Sequence, residues 1–188
     1  MKKIGVTGSI ASGKTTASKI LSTKYGPLFS ADEAIKKLYE KNYFKKLIIR
    51  KFKIKSKKNI KKHLRDKILL NQNYIKKLEN IIHPIVRREM RKFVYKYRKK
   101  KFIFLEIPLL IESGLYKNYD FIFFIKAKKS LRLKRFISKG GNKKLFQILD
   151  KKQLSEKKKI ILCDHVVMNE RNVKMLKKNL LDIFSKYV

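Results

Sequence analysis

Gly8-Ser9-Ile10-Ala11-Ser12-Gly13-Lys14-Thr15 sets two glycines, an ammonium and a hydroxyl at the spacing of a phosphate-binding loop, directly after the apolar run Ile4 to Val6. Gly8 and Gly13 reach backbone angles that a side chain forbids, so consecutive N–H groups can turn inward around a polyphosphate at a helix N-terminus. Lys14 is placed for the β and γ phosphates and the Thr15 hydroxyl for Mg²⁺. Together they imply a nucleoside triphosphate and a metal. The bland alternative is a glycine-rich turn that merely opens a helix.

Phosphoryl transfer also needs a base beside the acceptor and cations beside the transferring oxygens. In open parallel sheets ligands collect beyond the C-terminal ends of strands, and three acids stand at such positions: Asp32, Glu106 and Glu112. Glu106 ends the apolar run Phe102 to Leu105, the layout of a Mg²⁺-associated acid; as an alternative it caps the strand end and faces water. Two readings of Asp32 stand side by side. It is a carboxylate that accepts the proton of an attacking hydroxyl, or it is the N-cap of a helix beginning near Glu33. Arg132 and Arg135 precede the polar stretch Ser138 to Lys144, a candidate lid, and a guanidinium fork suits phosphate clamping. Arg135 is the favoured member, against the alternative of a solvated basic helix face. His63, His83 and His165 show no metal-ligand spacing and read singly as packing or surface residues.

The elements that must position these groups alternate. Thr15 to Tyr25 reads as a helix ended by Gly26-Pro27, and Leu28 to Ser30 as a second strand. From Glu33 to about Lys100 the period becomes helical, with Ile75, Leu78, Ile81, Ile82, Ile85 and Val86 three or four apart. Pro84 is expected to end or kink a helix near His83. Phe102 to Leu105 and Phe121 to Ile125 are continuous apolar runs, as in strands buried on both faces, and Val166 to Met168 is a fifth strand. A loop or helical turn joins Pro108 to Tyr116. The expected fold is therefore α/β, a five-stranded parallel sheet covered on both faces by right-handed crossovers, with a helical insertion.

Composition narrows the setting. The chain has 188 residues, long enough for one globular unit with an inserted subdomain, and 44% are hydrophobic, which argues against disorder. One cysteine, Cys163, excludes an intramolecular disulfide and fits a reducing compartment, so the expected location is the cytoplasm. No stretch approaches the ~18 apolar residues of a membrane span. Lys+Arg 51 against Asp+Glu 14 leaves a net charge of +37. Such a balance ordinarily suggests nucleic acid, but the lysines are scattered among Ile, Asn, Phe and Tyr, as AT-biased coding would leave them at solvated positions. No specific nucleic-acid partner and no membrane are expected. The densest stretch, Lys45 to Lys67, holds twelve basic residues and could focus an anionic substrate.

The order G-S-I-A-S-G-K-T-T, S-A-D-E-A-I-K-K-L, L-E-N-I-I-H-P-I-V, I-P-L-L-I-E-S-G-L-Y and C-D-H-V-V-M-N resembles the dephospho-CoA kinase family over nearly the entire chain. The His83-Pro84 pair and the P-L-L-x-E segment, Pro108 to Glu112, carry more specificity than the phosphate loop. The resemblance implies a three-layer P-loop NTPase fold like that of nucleoside monophosphate kinases. Its parts would be a nucleotide-binding core at 1–32 plus 101–188, a lid at about 132–150 and a helical CoA-binding insertion at 33–100. It implies transfer of the γ phosphate of ATP to the ribose 3′-hydroxyl of dephospho-CoA, with ATP and Mg²⁺ required. By position, Asp32 would be the base and Lys14 and Arg135 would steady the phosphoryl group. Gly8, Ala11, Ser12, Gly13, Lys14, Thr15, Thr16 and Asn169 would bind ATP. Thr15 and Glu106 would serve the metal. His83, Pro108, Leu109, Leu110 and Glu112 would border the acceptor site. Four positions depart from the family: Ser30 replaces the first acid of D-A-D, Ser9 and Ala11 replace loop glycines, and Lys139 replaces a lid arginine.

Overall fold

The apolar runs become the strands of one parallel sheet in a computed structural model that describes residues 1–55 and 59–188. Ser56, Lys57 and Lys58, within the basic stretch Lys45 to Lys67, lie outside the described residues. The strands are β1 (Lys2–Gly8), β2 (Leu28–Ser30), β3 (Phe102–Glu106), β4 (Phe121–Lys126) and β5 (His165–Met168), in spatial order β2-β3-β1-β4-β5, every pair parallel. The helices are α1 (Lys14–Tyr25), α2 (Ala31–Leu38), α3 (Asn42–Phe52), α4 (Ile60–Leu70), α5 (Asn73–Lys96), α6 (Lys129–Ser138), α7 (Lys143–Lys152), α8 (Glu156–Ile161) and α9 (Val173–Phe184).

The chain divides into two compact units, Met1–Ser30 with Phe93–Val188, and Ala31–Lys92. In the first, β3 is buried at every residue, as a parallel strand covered on both faces must be. Ile4, Val6, Phe104, Phe123 and Val167 of the sheet pack with Ala17 and Leu21 of α1 and Leu180 and Phe184 of α9. Phe184 gathers the rings of Tyr25, Phe102 and Phe104 at 4.6, 5.2 and 5.5 Å between centroids. Each such fully buried side chain contributes about 1.5–3 kcal/mol, so this layer fixes α1 and α9 against the sheet.

In the second unit Leu38, Phe44, Ile48, Phe52, Ile60, Leu64 and Ile82 form a separate helical core. Of the two outcomes expected at Pro84, an end to the helix is ruled out: α5 passes His83 and runs on to Lys96. The ring is exposed, and the apolar face continues with the same period on both sides of it, through Leu78, Ile82, Ile85 and Val86. Burial along that face outweighs the ~3 kcal/mol that an interior proline costs. The N-cap alternative for Asp32 is also corrected. α2 starts at Ala31, so Asp32 lies inside its first turn, where an acid complements the helix dipole rather than capping the end. Among the described residues no helix is long and apolar enough to cross a membrane.

Candidate active site

Parallel pairing brings the chemistry to one edge of the sheet. β1 sits between β3 and β4, with Val6 in register with Glu106 and Gly8 with Ile125, so the loop after β1 and the acid ending β3 share the C-terminal edge. Gly13 adopts φ 99° just before α1, a conformation that side chains resist, and a Cβ there would strike the Asn169 amide. Ala11 holds φ 58°, a left-handed angle that costs a non-glycine residue about 1–2 kcal/mol. The replacement of a loop glycine by Ala11 therefore leaves the turn in place under local strain.

Lys14 is buried, and its ammonium donates to Ser9 O at 3.0 Å, across the loop it must serve. Thr15 Oγ1 donates to Glu106 Oε1 at 2.6 Å. Glu106 is fully buried, and its second oxygen, Oε2, has no hydrogen-bond partner. A dry, unsatisfied carboxylate oxygen beside a hydroxyl is what a hard divalent cation would complete. Ser30 is the register partner of Glu106 on β2, so the position that lost its acid borders the acid that remains.

Two side chains grip the loop from behind. Asn169 Nδ2 donates to Ser12 O at 2.8 Å, and Arg135 donates to Ser12 O at 3.3 Å and Asn169 O at 3.1 Å. Arg132, by contrast, is buried and committed: it donates to Asp150 Oδ1 at 2.6 Å, Ala127 O at 3.2 Å and Ile10 O at 3.4 Å. Burial pushes the Asp150 carboxyl up, but hydrogen bonds and charge from Arg132, then Lys129, outweigh it and hold it below its ordinary value. Beside α1 opens a cleft of about 480 Å³ lined by Thr15, Thr16 and the side chains of Lys19, Lys24, Lys139 and Lys177.

The remaining candidates lie on other segments. Asp32, exposed on α2, and His83, half-buried on α5, belong to the second unit. In the loop after β3, Pro108 O accepts from Thr7 Oγ1 at 3.3 Å, Leu109 is half-buried and Leu110 is fully buried over Gly5. Glu112 is bound to Lys159, 2.6 Å away, and to Leu154 N at 3.2 Å. Gln153, Glu156 and Lys159 escaped the sequence reading although Gln153 Oε1 accepts from Ile10 N and Glu156 Oε1 from Ser9 Oγ, both at 3.0 Å.

The family described as dephospho-CoA kinase matches residues 2–175. A dephospho-CoA kinase of Bartonella henselae is 32% identical over 186 residues, 96% of this chain and 95% of the relative. Its counterpart in Fusobacterium nucleatum is 37% identical over 180 residues, 93% of each chain. The solved dephospho-CoA kinase from Campylobacter jejuni superposes with a TM-score of 0.62 at 25% identity, covering 98% of this chain and 96% of that one.

Proposed function

Because the chain belongs to the dephospho-CoA kinase family, which phosphorylates dephospho-CoA with ATP in the last step of coenzyme A biosynthesis, we propose that Gly8 to Thr16 hold ATP while Asp32 activates the acceptor. The observation that carries this reading is the phosphate loop at the sheet edge, with Thr15 and the unsatisfied Glu106 oxygen side by side. Loop N–H groups and Lys14 would bind the β and γ phosphates, and the basic cleft lined by Thr16, Lys139 and Lys177 would receive the rest of the nucleotide. Thr15 and Glu106 would hold Mg²⁺, which would supply charge neutralisation for the phosphates.

In the transfer, Asp32 takes the proton of the ribose 3′-hydroxyl as its oxygen bonds to the γ phosphorus. The bond from that phosphorus to the bridging oxygen of ADP breaks, and ADP leaves. Arg135, anchored beside the loop, steadies the phosphoryl oxygens. Residues 1–32 with 101–188 act as the nucleotide core, 33–100 receive dephospho-CoA, with His83, Pro108, Leu109, Leu110 and Glu112 shaping that side, and about 132–150 form the lid. Leu110 and Glu112 shape it indirectly, since one is buried and the other ion-paired. Mixing the protein with Mg²⁺, ATP and dephospho-CoA should give CoA and ADP in equal amounts, and EDTA should stop it. Turnover with a nucleoside monophosphate instead would overturn the acceptor assignment.

A further inference from the structure

Lys159 and Glu112 form an ion pair that the phosphoryl-transfer chemistry does not use. Lys159 is fully buried, with its ammonium 2.6 Å from Glu112 Oε1, and the same oxygen accepts from Leu154 N at 3.2 Å. Burying two charges is a poor route to stability, since well-packed apolar groups often do as well. What the pair does fix is the turn 153–156 between α7 and α8. From that turn Gln153 reaches Ile10 N and Glu156 reaches Ser9 Oγ, each at 3.0 Å, while Arg132 holds Ile10 O and lies 3.6 Å from Glu156. Ser9 and Ile10 precede α1, so its helical hydrogen bonds do not order them. Ser9 O is also the acceptor that sets where the Lys14 ammonium rests.

We infer that Lys159, Glu112 and Gln153 are positioning residues for phosphoryl transfer: the buried pair anchors the 153–156 turn, and Gln153 with Glu156 holds the front of the phosphate loop in nucleotide-binding shape. The inference rests on the reading of Gly8 to Thr16 as the ATP loop. Small displacements matter here, because about 1 Å of misplacement can cost roughly a hundredfold in rate.

Gln153→Met keeps the length of the side chain and removes the acceptor for Ile10 N–H. It should raise KM for ATP about fivefold, the worth of one hydrogen bond, with KM for dephospho-CoA and the melting temperature unchanged. The charge-free double variant Lys159→Met/Glu112→Gln should raise KM for ATP as well, and adding Gln153→Met should then change little, because the three act as one chain. Wild-type KM for ATP in Gln153→Met overturns the inference, whether or not the double variant folds. So does an equal rise in KM for both substrates accompanied by a lower melting temperature, the mark of general loosening. Failure of the wild-type protein to transfer phosphate from ATP would overturn the loop reading and the inference together, whereas an active wild type with indifferent variants sinks the inference alone.

Discussion

Asp32 and Glu106 are two carboxylates in opposite settings. Glu106 is fully buried against Thr15, with one oxygen unsatisfied. Asp32 is exposed in the first turn of α2, as suits a base that must meet a substrate hydroxyl arriving from water. Asp32→Asn keeps the shape and removes the proton acceptor. Turnover should fall about a hundredfold or more, as loss of a positioned base does, while equilibrium affinity for ATP stays within about twofold of wild type. Turnover equal to wild type would remove Asp32 from the mechanism. The nearby departure at Ser30 makes this comparison sharper: with no acid at 30, no neighbouring carboxylate in that triplet can substitute for Asp32.

α6 and α7 share a short ion pair, Arg132 to Asp150 at 2.6 Å, with Lys129 adding a second cation 3.3 Å from the same carboxylate. Since the folded protein holds Asp150 below its ordinary pKa, the stabilisation is complete above the usual carboxylate range and is lost as pH falls through the lowered value. Asp150→Asn should therefore melt below wild type by a constant margin from neutral pH down to about pH 4, and the margin should shrink at lower pH. A margin independent of pH would mean that packing, not charge, joins the two helices. This contact also marks where the sequence stops being legible. The strands could be read because Phe102 to Leu105 and Phe121 to Ile125 are local apolar runs, and the loop because its spacing is itself the signal. Pro84 does not end its helix, since an apolar face continues on both sides of it. Gln153 and Glu156 lie 143 and 147 positions from the residues they hold, and in a lysine-rich stretch each looks like part of a solvated face. The one available hint was scarcity: of the 14 acids in the chain, Glu106, Glu112, Asp150 and Glu156 bind a partner near the loop or its anchor.

Charge tells the same story for the molecule as a whole. Of 51 lysines and arginines, the buried ones among the described residues are Lys14, Arg132 and Lys159, and each belongs to the network around the phosphate loop. The other described basic residues are at least partly in water, spread over every helix of both units, which is the distribution of a solvated surface. A dispersed positive surface binds nucleic acid by releasing counterions, without reading sequence, so its affinity falls steeply with salt. Duplexes of unrelated sequence should accordingly bind alike at low ionic strength and dissociate as salt approaches about 0.15 M, where the screening length is about 8 Å. ATP turnover measured over the same range should change far less, because Lys14, the residue proposed to meet the phosphates, is buried. Sequence-selective binding that survived physiological salt would instead mark a dedicated nucleic-acid surface, and the excess charge would then need a function of its own.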